Sequence, residues 1–300
     1  MNHNSKTLKA IGLVLLAMAI MPLIDVIAKY LGRQNLPIME LVWARFFFGT
    51  LVTLPFAYAS VGIEAFRPSS PILNSIRATS LILGTFCFFF SLKFLPIADT
   101  LSIFFVQPLL ITALSPFFLG EHVDGKRWSV VFLGFIGVLI IIRPGIQTLN
   151  LGHLFAFLAG CCSACYYLIT RKLKGKANPL LNTFQTSAIG AIALSLITPL
   201  FWNSPSISQW ALFLCLGAIA IVGHYLVTKA YDYAEASLLS PLNYSEMITS
   251  VLLGWLFFGD FPDQYTFMGV AILIACAIYI SNNERQLAHA NSSFQTKTGD

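Results

Sequence analysis

Charge is what this sequence lacks. Only 10% of its 300 residues are Asp, Glu, Lys or Arg, against about 25% in a soluble globular domain. So few ionic groups cannot cover a water-facing surface, and a soluble globule is excluded. Long polar stretches are equally scarce, which leaves no room for a separate soluble domain. A concentrated basic patch is missing too: the net charge of +5 is dispersed over short loops, which argues against nucleic acid as a partner. No glycine-rich phosphate loop occurs, so ATP hydrolysis is not the expected energy source. Six cysteines are present (Cys87, Cys161, Cys162, Cys165, Cys215 and Cys276), all inside apolar runs. They read as small packing residues, with no disulfide, metal or cofactor implied.

What remains is apolar. The chain is 57% hydrophobic with a mean hydropathy of +0.76, and the lipid bilayer is its expected environment. A crossing helix needs about 20 residues, and ten stretches approach that length: 8–31, 38–60, 73–94, 97–120, 127–143, 151–172, 179–201, 209–232, 236–257 and 262–281. The first could pass for a signal peptide, but the apolar run continues past Ala17-Met18-Ala19 to Leu31 and reads as a membrane span. The polar residues 284–300 read as a disordered cytoplasmic tail. Most Lys and Arg, including Lys6, Arg67, Arg77, Arg127 and the Arg171–Lys176 cluster, fall on one side, against Lys29, Arg33, Lys93 and Arg143 on the other. The basic side is expected to be cytoplasmic, with both termini there.

A repeat organises these stretches. Shifting residues 98–121 by 139 positions lays Gln107 on Glu246, Gly120 on Gly259, Glu121 on Asp260 and Phe105 on Tyr244. Halves 1–145 and 146–283 would each cross five times, an odd number, so the second must be upside down relative to the first. Inverted repeats with polar groups near the midplane are a common transporter build. The helix-end pairs Gly120-Glu121 and Gly259-Asp260, with Gly137 and Gly269 beyond them, resemble the EamA family of the drug/metabolite transporter superfamily. Residues 22–29 (PLIDVIAK) and Trp43-Ala44-Arg45-Phe46 are similar to a bacterial branch that includes riboflavin and S-adenosylmethionine uptake carriers. Val130 and Cys276 depart from the pattern, which often has glycine there. The resemblance implies an all-α membrane protein of two inverted five-helix repeats in the bacterial inner membrane.

Polar groups inside apolar runs are the candidate site, because a charge in hydrocarbon is costly. Asp25 and Arg45 lie roughly 10 Å below the outer boundary; they read as an ion pair pinning two helices or as an outer gate. Lys29 and Glu40 are close enough to the ends to be expected to snorkel. Glu246 lies near the midplane with no basic residue at its depth. It reads as a substrate or proton site, or as a carboxyl satisfied by Asn243, Tyr244 or a hydroxyl. Gln107 is its counterpart. His224 and Trp43 could touch a substrate, as could Tyr166, Tyr167 and Tyr231. Pro108 and Pro241 free backbone carbonyls in corresponding helices, as at a binding cavity or a simple kink. Ala156, Gly160 and Ala164 recur every four residues and invite close helix approach. The expectation is a non-enzymatic secondary carrier, monomer or homodimer, moving a small-molecule substrate by alternating access. Alternatives are a lipid-handling or structural membrane protein and an intramembrane enzyme.

Overall fold

The computed structural model describes residues 3–68, 70–143, 150–176, 178–260, 263–265, 267–269, 271–272, 274–276 and 278–279. Its helices are α1 His3–Ile20, α2 Pro22–Arg33, α3 Ile38–Val61, α4 Pro71–Ser91, α5 Ile97–Phe104, α6 Val106–Leu119, α7 Gly125–Ile142, α8 Leu151–Lys172, α9 Pro179–Ile197, α10 Ile207–Tyr233, α11 Ala236–Leu239 and α12 Glu246–Phe258. No strand occurs among the described residues. Seven stretches are long and apolar enough to cross a membrane: Lys6–Arg33, Ile38–Phe66, Pro71–Ser91, Ile97–Leu119, Leu151–Lys172, Pro179–Phe201 and Ile207–Tyr233. They match seven of the ten expected spans. The expected fifth is the 18-residue α7. The tenth falls partly, and the tail 284–300 wholly, outside the described residues.

The expected ninth span, 236–257, is not one helix. A 3₁₀ segment, Ser240–Ser245, separates α11 from α12. Pro241 sits at its start, where the missing N–H and fixed φ stop α-helical propagation. The fourth span is interrupted at the matching place, between Phe104 and Val106. Pro108 supplies no N–H to the Phe104 carbonyl four residues earlier, and its ring crowds that oxygen. Phe105 and Tyr244, equivalent in the 139-residue shift, meet edge to face with ring centroids 5.3 Å apart, both fully buried. The first span, expected to be continuous, is also divided, at Met21 before Pro22.

Most close helix pairs join the two halves of the sequence: α4 lies along α8, α3 against α9 and α10, α1 against α10, and α6 against α8. Gly160 permits one of these approaches. A Cβ there would stand 2.6 Å from the Phe104 carbonyl oxygen and 2.7 Å from Val106 Cγ1. Backbone cannot move aside cheaply, and overpacking costs about 1–3 kcal/mol or more. Gly160→Leu is therefore expected to lower the unfolding midpoint in detergent by several degrees; an unchanged midpoint would show that α5 can retreat from α8.

The surface is inverted relative to a soluble protein. Ile207 is 91% exposed, Phe117 84% and Leu200 80%, while Glu40, Arg77 and Gln107 are buried. Apolar exposure on this scale marks a lipid-facing wall. The protein is a multi-pass membrane protein.

Candidate functional site

Two broken helices place two carboxyls inside the bundle. Asp25 lies in the first turn of α2, and Glu246 in the first turn of α12. A helix N-terminus carries partial positive charge and unpaired N–H groups, so an acid is favoured there. Each is only 8% exposed. Neither has a hydrogen-bond or ion-pair partner among the described residues, and both line a narrow chamber of about 60 Å³.

Arg45, from α3, reaches the same chamber. Its guanidinium donates to Thr85 Oγ1 at 2.5 Å and pairs with His224 Nε2 at 2.6 Å. Arginine has no acceptor, so Nε2 must accept and the ring proton sits on Nδ1, which has no partner. The Arg45–His224 contact therefore fixes a neutral tautomer. Tyr166 closes the chamber beside them, its ring edge to face with His224 at 5.2 Å. The chemistry available is two unpartnered carboxyls against one arginine, with a tyrosine wall. Such a pocket favours a cation or a proton.

The structure thus gathers Asp25, Arg45, His224 and Glu246 around one space. It does not form the Asp25–Arg45 ion pair; Arg45 is engaged by Thr85 and His224 instead. Gln107, Asn243 and Tyr244 are buried but do not line the chamber. Trp43 lies elsewhere, stacked on Phe47 at 4.6 Å, packed against Trp202 and Trp210, and donating to Ser195 Oγ at 2.9 Å. The snorkelling expected of Lys29 and Glu40 is overturned. Lys29 is 8% exposed and pairs with Asp260 at 3.3 Å, and Glu40 is fully buried, accepting from Asn203 N–H at 3.0 Å. Neighbouring helices cover both before they can reach the surface. Thr85 carried no sequence signal, since a helical threonine ordinarily bonds only its own backbone.

A second cavity, of about 640 Å³, opens at the C-terminal end of α2 and carries Lys29, Arg33, Lys93 and Asp260 on its wall. Phe89 lines both spaces and stands between vestibule and chamber. The far end of the bundle is tied by ionic contacts. Gln34, one residue past α2, holds Gln209 near the start of α10, and Tyr231 lies 22 residues further along α10, roughly 33 Å at 1.5 Å per residue. There Arg171 donates to Glu121 at 2.9 Å and to the Tyr231 carbonyl at 2.5 Å. Glu121 also accepts the Ala236 and Ser237 N–H groups that open α11, at 3.0 and 3.1 Å. Arg127 bonds Glu235 and Ser237 beside them. Glu121 and Asp260 follow Gly120 and Gly259, left-handed helix ends with φ of +67° and +71°, a conformation that glycine adopts without strain.

Known proteins resemble this chain in sequence and in fold. The EamA-like transporter family model matches residues 8–143 and 150–282, once for each half. The S-adenosylmethionine uptake transporter of Rickettsia conorii is 30% identical over 95% of this chain and 97% of its own length. The riboflavin transporter of Rhizobium johnstonii is 28% identical over 87% of each chain, and the pseudopaline exporter of Pseudomonas aeruginosa is 22% identical over 85% of this chain and 89% of its own. A solved crystal structure at 20% identity shares the fold, with a TM-score of 0.74 over 95% of this chain and all of that one. Repeated family match, apolar wall and interior polar chamber converge: the chain belongs to the EamA-like transporter family, membrane transporters of small molecules.

Proposed function

We propose that this protein carries a small metabolite bearing a cationic centre across the bacterial inner membrane by alternating access, in exchange for protons. The carrying observation is that Asp25 and Glu246 face a narrow chamber with no partner among the described residues. The reading includes ten crossings in two inverted halves with both termini cytoplasmic. Breaks at equivalent places, the Phe105–Tyr244 contact and the placement of Glu121 and Asp260 at opposite ends all favour it. On this reading the vestibule is the open side and the Glu121 contacts are the closed one, a state facing one side of the membrane.

The relatives' names offer two solute chemistries, and the chamber favours one. S-adenosylmethionine carries a sulfonium; riboflavin carries no charge. Two acids against one arginine suit the sulfonium. At about 60 Å³ the chamber is far below the roughly 300 Å³ of a ligand pocket, so the bundle must widen as the solute enters. A cation and a proton compete for the same carboxyls, which couples solute movement one way to proton movement the other.

The test is S-adenosylmethionine uptake into proteoliposomes, with riboflavin as competitor and with an imposed pH gradient. Accumulation should follow the gradient and resist riboflavin. A hydrogen bond to a charged group contributes about 1.5–3 kcal/mol, so Glu246→Gln should slow uptake by about tenfold or more. Uptake that ignores both the gradient and Glu246→Gln would overturn the exchange.

A further inference from the structure

Arg77 is a buried cation that the chamber does not use. It is fully buried on α4 and donates one bond, from Nη2 to the Asn182 carbonyl at 2.8 Å. Its Nε and Nη1 have no partner, and no carboxylate pairs with it among the described residues. A charge so placed is expensive unless something compensates it. Position suggests what does. Residues 77, 81, 85 and 89 share one face of α4. Phe89 stands between vestibule and chamber, Thr85 holds Arg45, and Leu81 lines the chamber. Arg77 continues that face one turn further, about 6 Å along the axis. Tyr166, which lines the chamber, lies against it as a polar neighbour, its ring centroid 5.5 Å from the Arg77 guanidinium carbon.

Other polar atoms on this side of the chamber are also unsatisfied. His224 Nδ1, Thr228 Oγ1 and the Tyr231 hydroxyl lack partners and follow one another at helical spacing along α10, ending at the carbonyl that Arg171 holds. On the proposed mechanism, this run of unmet groups lies on the path that a solute takes when the seal opens.

We propose that Arg77 is a carboxylate-binding subsite on this path, receiving the acid group of an amino-acid-bearing solute when Tyr166 swings aside. The two free nitrogens present the planar fork that fits a carboxylate in bidentate fashion. A phosphate monoester would bring a second negative charge past Asp25 and Glu246, so the carboxylate is the better match. The assignment rests on the proposed substrate reading: the acidic pair takes the cationic end of the solute, and Arg77 takes the other.

Two measurements on purified full-length protein test it. The first is binding of S-adenosylmethionine and of its decarboxylated analogue, which keeps the sulfonium and loses the acid. Wild type should prefer the acid-bearing probe by about tenfold. Arg77→Met should erase that preference while leaving affinity for the analogue within about twofold, and Arg77→Lys should restore part of it. The second is the unfolding midpoint without solute. An arginine kept for a ligand is held against stability, so Arg77→Met should melt at or above the wild-type temperature. A fall of several degrees in Arg77→Met, equal weakening of both probes, or no wild-type preference overturns the subsite. Wild type that binds neither probe removes the substrate reading instead. In that case the midpoint still decides whether Arg77 is a strut or an unpaired charge kept for a ligand.

Discussion

Exchanging Arg45 for lysine is expected to stop transport while the protein still inserts and folds. The guanidinium spans two partners on different helices, Thr85 on α4 and His224 on α10. A lysine ammonium is a point charge on a flexible stem and cannot hold both in one plane. The chamber would keep its charge and lose its geometry. Arg45→Met should do more. It leaves Asp25 and Glu246 in the chamber without their cation, and removing one member of a buried charge cluster costs about 3–5 kcal/mol. Its melting temperature should fall, and Asp25→Asn in the same chain should restore part of it. Uptake assays and thermal melts in detergent read these effects. Normal uptake by Arg45→Lys would show that Arg45 is only a packing element between α3, α4 and α10.

Loosening the seal is the second large effect. Glu121 accepts three bonds, from Arg171 and from the two N–H groups that open α11, and is 6% exposed. Glu121→Ala would strand Arg171 and uncap α11 together, again about 3–5 kcal/mol. On the proposed mechanism that energy holds the α11 end closed, so its loss should populate the opposite state. A cysteine at position 228, which is buried now, should then react with a membrane-impermeant maleimide from the α11 side in an otherwise cysteine-free chain. Asp260→Asn should act weakly by comparison. The Lys29–Asp260 pair is a single bond of 3.3 Å with Asp260 36% exposed, and such pairs are worth about 0–1 kcal/mol. Silence of the cysteine in Glu121→Ala would count against a seal at this position.

The punctuation of this fold was legible in the sequence because proline and glycine act locally. Pro108 and Pro241 sit beside two of the three helix breaks, and Gly120 and Gly259 close the helices that follow them. That the acids are buried inside the bundle was legible too, but the count from helix ends gave Glu246 no basic neighbour, and Arg45 lines the same chamber. Azimuth was not legible. Gln107 and Glu246 occupy matching positions, yet only Glu246 turns into the chamber; which face a residue presents depends on partners far away in the chain. The same gap hid Lys29, Glu40 and Arg77. Each lies near a helix end, and covering by other helices rather than distance to water decides its surroundings. Arg77 read as one more topology-setting cation because nothing in its own helix announces Asn182 or Tyr166.

The narrowness of the space around Asp25 and Glu246 has an electrical consequence. At about 60 Å³ it is a narrow, water-scale space, and on the proposed mechanism a hydrated ion would have to shed water to pass Phe89 on one side and the Arg171–Glu121 contacts on the other. On that mechanism an idle carrier passes little charge. A cell can keep many copies in a charged membrane without short-circuiting the potential that drives them.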